Sequence, residues 1–433
     1  ANLAAWWRAK CILLTLSVLL PKRKQKMAKK VGNTNLTRAK NTKNDEFYTQ
    51  YFDIEREVNT YLEYNPNAFR GKTILLPCDD PEWSNFTKFF AQNFENFGLK
   101  KLISTSFAPD SKMYKGGYQP TLFEVNNPQF DENKTVTNGK IFTLTKDYSK
   151  DGKIDVNDLE WTYLDGDGDF KSKEIKKLRD EADIIITNPP FSLFREFLAW
   201  IFEAEKQFLI IGSMNAITYK EVFPLIKENK MWLGATGAGK DMVFAVPKGA
   251  EVAESDRQKA ARMGYVGDYT RLGNSTWFTN IDHGRRHRPL PLMTMAENIK
   301  FNKKLKGKGY QEYDNYNAIE VPFTDAIPSD YVGVMGVPIS FLDKYCPEQF
   351  VIVNANDYRK DKEVLEKDIG LTENKEAVII SYKDINSANA VFLERAVQRM
   401  DSFASSTLLA PGNDGWHING KRIYARIFIR FIL

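Results

Sequence analysis

The residues best suited to chemistry are Asn188-Pro189-Pro190-Phe191, which follow the short apolar run at residues 184–186. The β-branched run predicts a buried strand, and the prolines end it because each lacks a backbone N–H. An exocyclic aromatic amine is a poor nucleophile, since its lone pair is delocalised into the ring. The Asn188 side-chain oxygen and the Pro189 carbonyl can accept its N–H groups and favour a localised lone pair, while Phe191 offers a stacking face for an extruded base. The segment therefore predicts a site that activates a planar amine; an ordinary proline-rich turn is the alternative.

A second elbow of the same kind lies earlier in the chain. Residues 73–76 predict a strand, PCDDP follows at residues 77–81, and Ser84 precedes aromatic residues at helical spacing. In open α/β sheets, ligands bind beyond the carboxyl ends of the strands. Cys78, Asp79 and Asp80 are therefore candidate cofactor-binding residues, although the segment lacks the glycines of a dinucleotide-binding loop.

The elements that must position these elbows alternate between strand and helix. After Asn188, Ser192 is a candidate N-cap for a helix whose apolar residues continue to residue 201. This alternation predicts an α/β domain with a doubly wound sheet over residues 45–248, with a surface insertion at about residues 111–160. Residues 249–433 have sparse helical periodicity and short strands, which predicts a mixed α+β region.

Residues 271–288, RLGNSTWFTNIDHGRRHR, combine bases, amides and aromatics. Bases can pair phosphates, amides can read adenine, and aromatics can stack on an exposed base. A solvated, charge-rich loop is the alternative. The candidate nucleic-acid-binding residues are Arg271, Asn274, Trp277, Asn280, Arg285 and Arg286.

Residues 147–158, DYSKDGKIDVND, match a single calcium-binding loop with Gly152 at its turn. The loop lacks the long Glu at its last position, and a second candidate beginning at Asp165 lacks both the glycine and the final acid, so paired EF-hands are excluded. We expect at most a structural brace here, and no metal in the active site. The candidate ligands are Asp147, Ser149, Asp151, Asp155 and Asp158.

Two other patterns are disfavoured. Residues 234–240, GATGAGK, fit a phosphate-binding loop, but Asp241 and a predicted strand follow instead of Ser or Thr and a helix. His283, His287 and His417 have no Cys or carboxylate at ligand spacing, which disfavours zinc.

Charge is distributed unevenly along the 433 residues. The chain has 61 Lys and Arg against 56 Asp and Glu, but eleven of the bases and none of the acids lie in residues 1–44, which leaves 50 bases against 56 acids in the remainder. The basic balance is therefore no argument for nucleic-acid binding by the body of the chain. The three cysteines, Cys11, Cys78 and Cys346, are far apart, which favours a reduced, cytoplasmic protein.

The first residues differ from the rest. Residues 11–20 form an apolar run too short to span a bilayer, no small-x-small cleavage site follows, and Met27 opens a plausible start. We expect residues 1–26 to be a non-native or upstream leader, residues 27–44 to be a basic flexible arm, and the protein to have no membrane partner.

The motifs together resemble the EcoRI-type adenine-specific DNA methyltransferase family, which uses S-adenosylmethionine (SAM). The resemblance extends over about residues 33–433 and rests on segments that stand in one order. They are FYTQ at 47, PCDDPEWSNF at 77, GDGDF at 166, TNPPFSLFREF at 187, IIGSMNAITYKE at 210, NSTWFTNIDHGRRH at 274, GVMGVPISFLDKY at 333 and GKRIYARI at 420.

This resemblance implies a Rossmann-like, seven-stranded SAM-binding domain and methylation of the N6 amine of a flipped adenine in double-stranded DNA. It implies that Asn188, Pro189, Pro190 and Phe191 hold the adenine. The residues implied to line the SAM site are Tyr48 and Thr49 at its methionine end, Cys78, Asp79 and Asp80 in its pocket, and Asp169 and Phe170 near its adenine.

The resemblance also implies a target-recognition role for residues 249–433 and a place in a restriction-modification system, with a cognate endonuclease acting separately, or as an orphan methylase. A SAM-dependent N-methyltransferase acting on RNA or on a protein glutamine is the alternative enzyme. A calcium-binding protein or a catalytically inactive DNA-binding protein is the alternative from another class.

Overall fold

A computed structural model describes residues 47–77, 79, 84–108, 125, 127–236, 242–246, 252–313, 318–355, 417–419, 421–423 and 426–432. The predicted leader 1–26, the arm 27–44, Cys78 and Asp80 lie outside these residues. The strands are β1 Tyr48–Thr49, β2 Thr73–Leu76, β3 Lys101–Ser106, β4 Lys140–Leu144, β5 Glu160–Tyr163, β6 Ile184–Thr187, β7 Gln207–Ser213, β8 Trp232–Leu233, β9 Met242–Ala245, β10 Tyr269–Leu272, β11 Ser275–Thr279, β12 Gln311–Glu312, β13 Ala318–Glu320, β14 Val334–Pro338, β15 Phe350–Ala355, β16 His417–Ile418, β17 Lys421–Arg422 and β18 Arg426–Phe431. The helices are α1 Tyr51–Tyr64, α2 Asn85–Gln92, α3 Phe94–Phe97, α4 Lys134–Thr137, α5 Lys173–Glu181, α6 Phe194–Glu203, α7 Phe223–Lys227, α8 Glu254–Arg262 and α9 Met295–Phe301.

The largest sheet has eight strands in the order β5-β4-β3-β2-β6-β7-β11-β8. Its four central strands, β3, β2, β6 and β7, run parallel, and the flanking strands pair antiparallel. The apolar runs TILL and IIIT are buried over their whole length, as expected of parallel strands covered on both faces. The mixed α/β class is confirmed, and the sheet contains eight strands rather than the seven predicted.

Alternate side chains of the central strands enter two different cores. Leu75 and Ile185 join one core with residues of α5 and α6, whereas Ile74 and Ile184 join the other with residues of α1, α2 and α3. The period of two along each strand separates the two sets. Helices therefore cover both faces of the sheet.

The chain leaves β2 toward β3 on one side, while β6 pairs with the other side of β2. Strand order thus reverses between β2 and β6, and their parallel carboxyl ends lie at the same edge. The two predicted elbows, which follow Leu76 and Thr187, come together at this switch point.

Three elements differ from the predictions. Strand β4 lies in the predicted surface insertion, yet it pairs with β3 in the main sheet. Strand β11, from the predicted recognition region, pairs with β7, so the large sheet extends past the predicted boundary at residue 248. Helix α6 begins at Phe194 after a 3-10 turn at Phe191–Leu193, so Ser192 lies inside that turn rather than at the helix N-cap.

A second mixed sheet, with the order β12-β13-β14-β18-β15, lies in the C-terminal region. Its apolar residues, including Met335, Val337 and Ile427, belong to the same core as α6. A three-stranded sheet β1-β9-β10 and the hairpin β16-β17 complete the described strands. Within the part of the chain that the structure describes, no helix combines the length and apolar character needed to cross a bilayer.

A histidine joins the two largest sheets at the surface. The Nε2 atom of His287 lies 2.9 Å from both Asp282 carboxylate oxygens, and its Nδ1 atom lies 2.7 Å from Glu348 Oε1, just before β15. The ring stacks on Tyr64 with centroids 5.6 Å apart. Partial burial alone would lower the pKa of His287, but the bonds to the two carboxylates outweigh it and raise the pKa above its usual 6.5.

Replacement of His287 by glutamine should reduce stability in acid and have little effect in alkaline solution. Because the folded-state pKa is raised, the contribution of the charged imidazole is complete below the unfolded pKa and disappears as the pH rises through the folded value. We expect the free energy of unfolding to fall by about 1 kcal/mol or less at about pH 5.5, and by less at about pH 9. Urea unfolding of both proteins at the two pH values measures this; an equal loss at both would contradict it.

Candidate active site

The Asn188 amide is the central polar group at the switch point. Asn188 directly follows β6, and its Nδ2 donates to the carbonyl of Phe47 at 2.6 Å. Since a carbonyl can only accept, this bond identifies which amide atom is the nitrogen. Oδ1 is left buried, with no hydrogen-bond partner among the described residues. A buried acceptor without a donor costs about 1–3 kcal/mol, so this oxygen is suited to a ligand's N–H.

The remainder of the elbow is stiff and presents an aromatic ring. Pro189 is buried, and the Pro190 carbonyl accepts from Leu193 N at 2.9 Å to start the 3-10 turn. The half-buried Phe191 ring lies 5.7 Å from the Phe47 ring. Packing on one side therefore holds a partly accessible ring beside Asn188.

The segment FYTQ lies against this elbow, where Phe47 contacts Asn188 and Phe191. Tyr48 and Thr49 pair with Ala245 and Phe244 of β9. Thr49 is 3% exposed, and its Oγ1 is a second buried polar atom with no hydrogen-bond partner among the described residues. The Thr49 carbonyl accepts from Asn85 Nδ2 at 2.7 Å, so the start of α2 holds the segment in place.

Asp79 connects the two elbows. Its Oδ2 accepts from Thr187 Oγ1 at 2.5 Å and its Oδ1 accepts from Ser84 Oγ at 2.7 Å, while Asp79 itself is 7% exposed. Thr187 Oγ1 also lies 2.9 Å from the Pro77 carbonyl. Thr187 immediately precedes Asn188, so the carboxylate ties the end of β6 to the loop after β2. Asp79 thus has a structural role between the two elbows.

The loop before α5 reaches the same edge of the sheet. Ala108 N donates to Asp167 O at 2.7 Å, and Gly168 has φ +87°. A Cβ atom at Gly168 would collide with the Ser106 carbonyl oxygen, so glycine is required there. The half-buried Asp169 therefore lies in a loop that meets the chain just beyond β3, the strand that pairs with β2.

Phe170 does not occupy the position expected of a stacking residue. It is 4% exposed, and its ring packs against Phe197 at 5.1 Å and Trp200 at 5.7 Å. Because both neighbours belong to α6, the ring fills the core beneath the loop and is not accessible to an adenine.

Two of the predicted nucleic-acid-binding residues are also structural. Trp277 is 3% exposed in β11 and contacts Phe86 with centroids 6.0 Å apart. The Asn280 amide accepts from Phe208 N at 2.8 Å and donates to Lys206 O at 3.0 Å, which ties β11 to β7. Neither side chain is available to a base.

The two arginines also bind within the protein. Arg285 donates to Ala235 O at 2.7 Å and pairs with Asp343. Arg286 is 7% exposed, and its guanidinium lies 3.7 Å from the centroid of the Trp232 ring. Of the six candidates, only Asn274 is exposed, at the turn between β10 and β11, and Arg271 is half-buried.

In the predicted calcium loop, the carboxylates accept hydrogen bonds from backbone N–H groups of the loop itself. Asp158 accepts from Tyr148 N at 2.9 Å, Ser149 N at 2.7 Å and Asp155 N at 2.9 Å, and Asp147 accepts from Gly152 N at 2.9 Å. Asp151 accepts from Lys153 N and Asp155 from Asn157 N. Among the described residues, no three His, Cys, Asp or Glu side chains converge as metal ligands. The loop is therefore braced by backbone amides.

Sequence reasoning missed another buried carboxylate, Glu57 of α1. It accepts from Ala235 N at 2.7 Å, Thr236 N at 2.8 Å and Tyr61 Oη at 2.8 Å, and it is fully buried. Its place among Ile54, Val58 and Tyr61 on the apolar stripe of α1 is the signal that could have identified it. It holds the loop after β8.

Comparison with known proteins identifies the family of this chain. Residues 35–431 match the family described as adenine-specific methyltransferase EcoRI, and the chain belongs to this family, which confirms the predicted class of enzyme. No solved structure gives a significant match.

The curated relatives include the type II methyltransferase M.EcoRI of Escherichia coli, 41% identical over 80% of this chain and 94% of that protein. The type II methyltransferase M.MpnI of Mycoplasma pneumoniae is 34% identical over 74% of this chain and 86% of that protein. M.MgeORF184P of Mycoplasma genitalium, also a type II methyltransferase, is 34% identical over 75% of this chain and 87% of that protein.

Replacement of Thr187 by valine tests the link between the elbows. We expect the free energy of unfolding to fall by about 1–3 kcal/mol, because a buried carboxylate oxygen loses a hydroxyl donor at nearly constant side-chain volume. Ser84→Ala removes the other hydroxyl from the same carboxylate. In a double-mutant cycle followed by urea unfolding, the two losses should depart from additivity by about 0.5 kcal/mol or more. Additive losses would show that the hydroxyls do not act on one group.

Proposed function

We propose that this adenine-specific methyltransferase transfers a methyl group from SAM to the N6 amine of an adenine extruded from duplex DNA. The observation that carries the proposal is the Asn188 amide, whose nitrogen is bonded to Phe47 while its oxygen is buried without a donor. An oriented acceptor of this kind suits an exocyclic N–H. No group among the described residues donates a hydrogen bond to it.

The residues at the switch point fit a SAM site. Thr49 Oγ1, a buried acceptor without a partner, suits the ammonium of the methionine end, and Tyr48 lies beside it in β1. We assign Asp79 to the wall of the SAM pocket and Asp169 to the end that holds the adenine of SAM. Phe170 lies in the core beneath Asp169. Cys78 and Asp80 belong to this proposal by their place in the chain. When bound, SAM supplies an electrophilic methyl group on a sulfonium.

The protein's own contribution is acceptance, stacking and positioning. Asn188 Oδ1 and the Pro189 carbonyl accept the two N6–H groups, which keeps the amine lone pair localised for attack. Phe191 stacks against the extruded base. No covalent nucleophile is needed, so the rate gain comes from alignment and from preorganised acceptors.

The assignment of the large sheet to a Rossmann-like SAM-binding domain also belongs to this proposal, and the reversal of strand order between β2 and β6 supports it. We further propose that the C-terminal region recognises the target sequence. A restriction-modification role with a separately acting endonuclease, or an orphan role, and a cytoplasmic location complete the proposal. The self-satisfied loop at residues 147–158 and the family match disfavour calcium-binding and glutamine-modifying alternatives.

Asn188→Ala should lower the rate of methyl transfer by about 100-fold or more, by analogy with the loss of one preorganised hydrogen-bonding group from other active sites. Binding of duplex DNA should persist, because the change leaves the surface intact. Asn188→Asp, which keeps an acceptor, is the matched control and should retain more activity. Single-turnover transfer of labelled methyl groups, with gel-shift binding in parallel, measures both. Unchanged turnover in the alanine variant would overturn the site.

Phe191→Ala should weaken the hold on the extruded base by about 1–3 kcal/mol, the usual contribution of one base–aromatic contact. Phe191→Tyr keeps the stacking face and should bind as the wild type does. Fluorescence of 2-aminopurine at the target position reports extrusion directly. Equal fluorescence from the alanine and wild-type complexes would show that Phe191 does not contact the base.

A further inference from the structure

An exposed strip of lysines lies at the end of α9 and in the turns that follow it. We name Lys300, Lys303, Lys304, Lys306 and Lys308 the lysine strip; all five are exposed. No Asp or Glu occurs between residues 298 and 311, whereas residues 45–433 as a whole have 50 bases against 56 acids. The strip is therefore a local departure from an acidic surface.

The fold holds these side chains outward. A capping box between Thr294 and Glu297 starts α9, and the buried Asn298 and Leu305 occupy the inward positions on either side of Lys303. The Tyr310 hydroxyl donates to Ala326 O at 2.6 Å beyond the strip. Because the segment is anchored before, within and after the lysines, its charges are fixed on one short surface.

The protein neutralises little of this charge. Within the described residues, the strip makes one ion pair, Lys304 Nζ to Asp325 Oδ2 at 3.9 Å, between side chains that are 51% and 59% exposed. Such a pair contributes little. Phe301 is 60% exposed beside Lys300, whose Nζ lies 5.0 Å from the ring centroid. Unpaired lysines around an exposed aromatic ring are typical of nucleic-acid-binding surfaces.

We propose that the lysine strip binds the phosphate backbone of duplex DNA, which rests on the proposed function and adds to it a contact surface outside the active site. Lysine presents a hydrated point charge that pairs with phosphate without reading base edges. The strip therefore supplies affinity and positioning, and leaves sequence recognition to other residues. Four of the residues predicted from the sequence to bind DNA are buried or internally paired, so within the part of the chain that the structure describes they do not offer a surface for phosphates.

The test is the salt dependence of DNA binding by a variant that carries Lys300→Gln, Lys303→Gln, Lys306→Gln and Lys308→Gln. The slope of log affinity against log salt should fall in magnitude by about 3 to 4, since each lost phosphate contact contributes about 0.9. The Michaelis constant for DNA should rise while the turnover at saturating DNA stays unchanged. Lys→Arg at the same four positions should preserve the slope.

A matched control carries Lys150→Gln, Lys153→Gln, Lys173→Gln and Lys177→Gln, which removes four exposed charges from an acid-rich part of the chain. Its slope should stay within about 1 of the wild type. A pair variant, Lys306→Gln with Lys308→Gln, repeats the test in the exposed turn if the fourfold variant unfolds.

If the wild type binds and methylates DNA but the salt slope is unchanged in both the fourfold and the twofold Lys→Gln variants, the proposed role of the lysine strip is wrong. The proposed function would then still stand. Loss of binding to vesicles of anionic lipid without any change in the DNA slope would assign the strip to a membrane surface and would also overturn it. Absence of methyl transfer by the wild type would instead overturn the proposed function.

Discussion

One amide group organises the proposed active site of this protein. Asn188 Nδ2 is bound to a backbone carbonyl 141 residues away in sequence, and that bond leaves Oδ1 buried without a donor. The protein thus carries the cost of an unsatisfied polar atom, which is typical of groups held ready for a ligand. The orientation of the amide depends on the position of Phe47, which in turn depends on β1 and its pairing with β9. A distant element therefore determines which atom of the Asn188 amide is left without a partner.

The large sheet explains why the two elbows meet. Parallel strands place their carboxyl ends at one edge of the sheet, and strand order reverses there between β2 and β6, which is where ligands bind in open α/β sheets. A buried carboxylate then fixes the two loops relative to each other, because Asp79 accepts hydroxyl donors from both sides of the switch point. The Asp79 carboxylate holds the structure together here, whereas Thr49 Oγ1 and Asn188 Oδ1, two of the buried polar atoms that lack a hydrogen-bond partner among the described residues, are the atoms proposed to meet the ligands. Thr187, whose hydroxyl holds the structure, is therefore adjacent in sequence to Asn188, whose oxygen is proposed to bind a ligand.

Local pattern predicted the strands at residues 73–76 and 184–186 well, the second being one residue longer in the structure, because continuous β-branched and aliphatic runs allow few other structures. The two elbows followed from the same pattern, whereas their meeting at one edge is seen only in the sheet order. Pattern could not predict the contact between Thr187 and Asp79, which joins residues 108 apart. Residue composition also wrongly indicated that Trp277 and Arg286 are available to DNA. It gives the type of each residue but not whether its side chain is buried. The lysine strip was not predicted from the sequence because residues 300–308 match no motif. Its only signal is a local excess of lysines without acids.

The most direct measurement is a crystal structure of the protein with its duplex DNA substrate and a non-reactive SAM analogue. The account predicts an adenine rotated out of the duplex, stacked on Phe191, with its N6 about 2.6–3.2 Å from Asn188 Oδ1. An adenine that remains stacked in the helix, or an Asn188 oxygen turned away from the base, would contradict it.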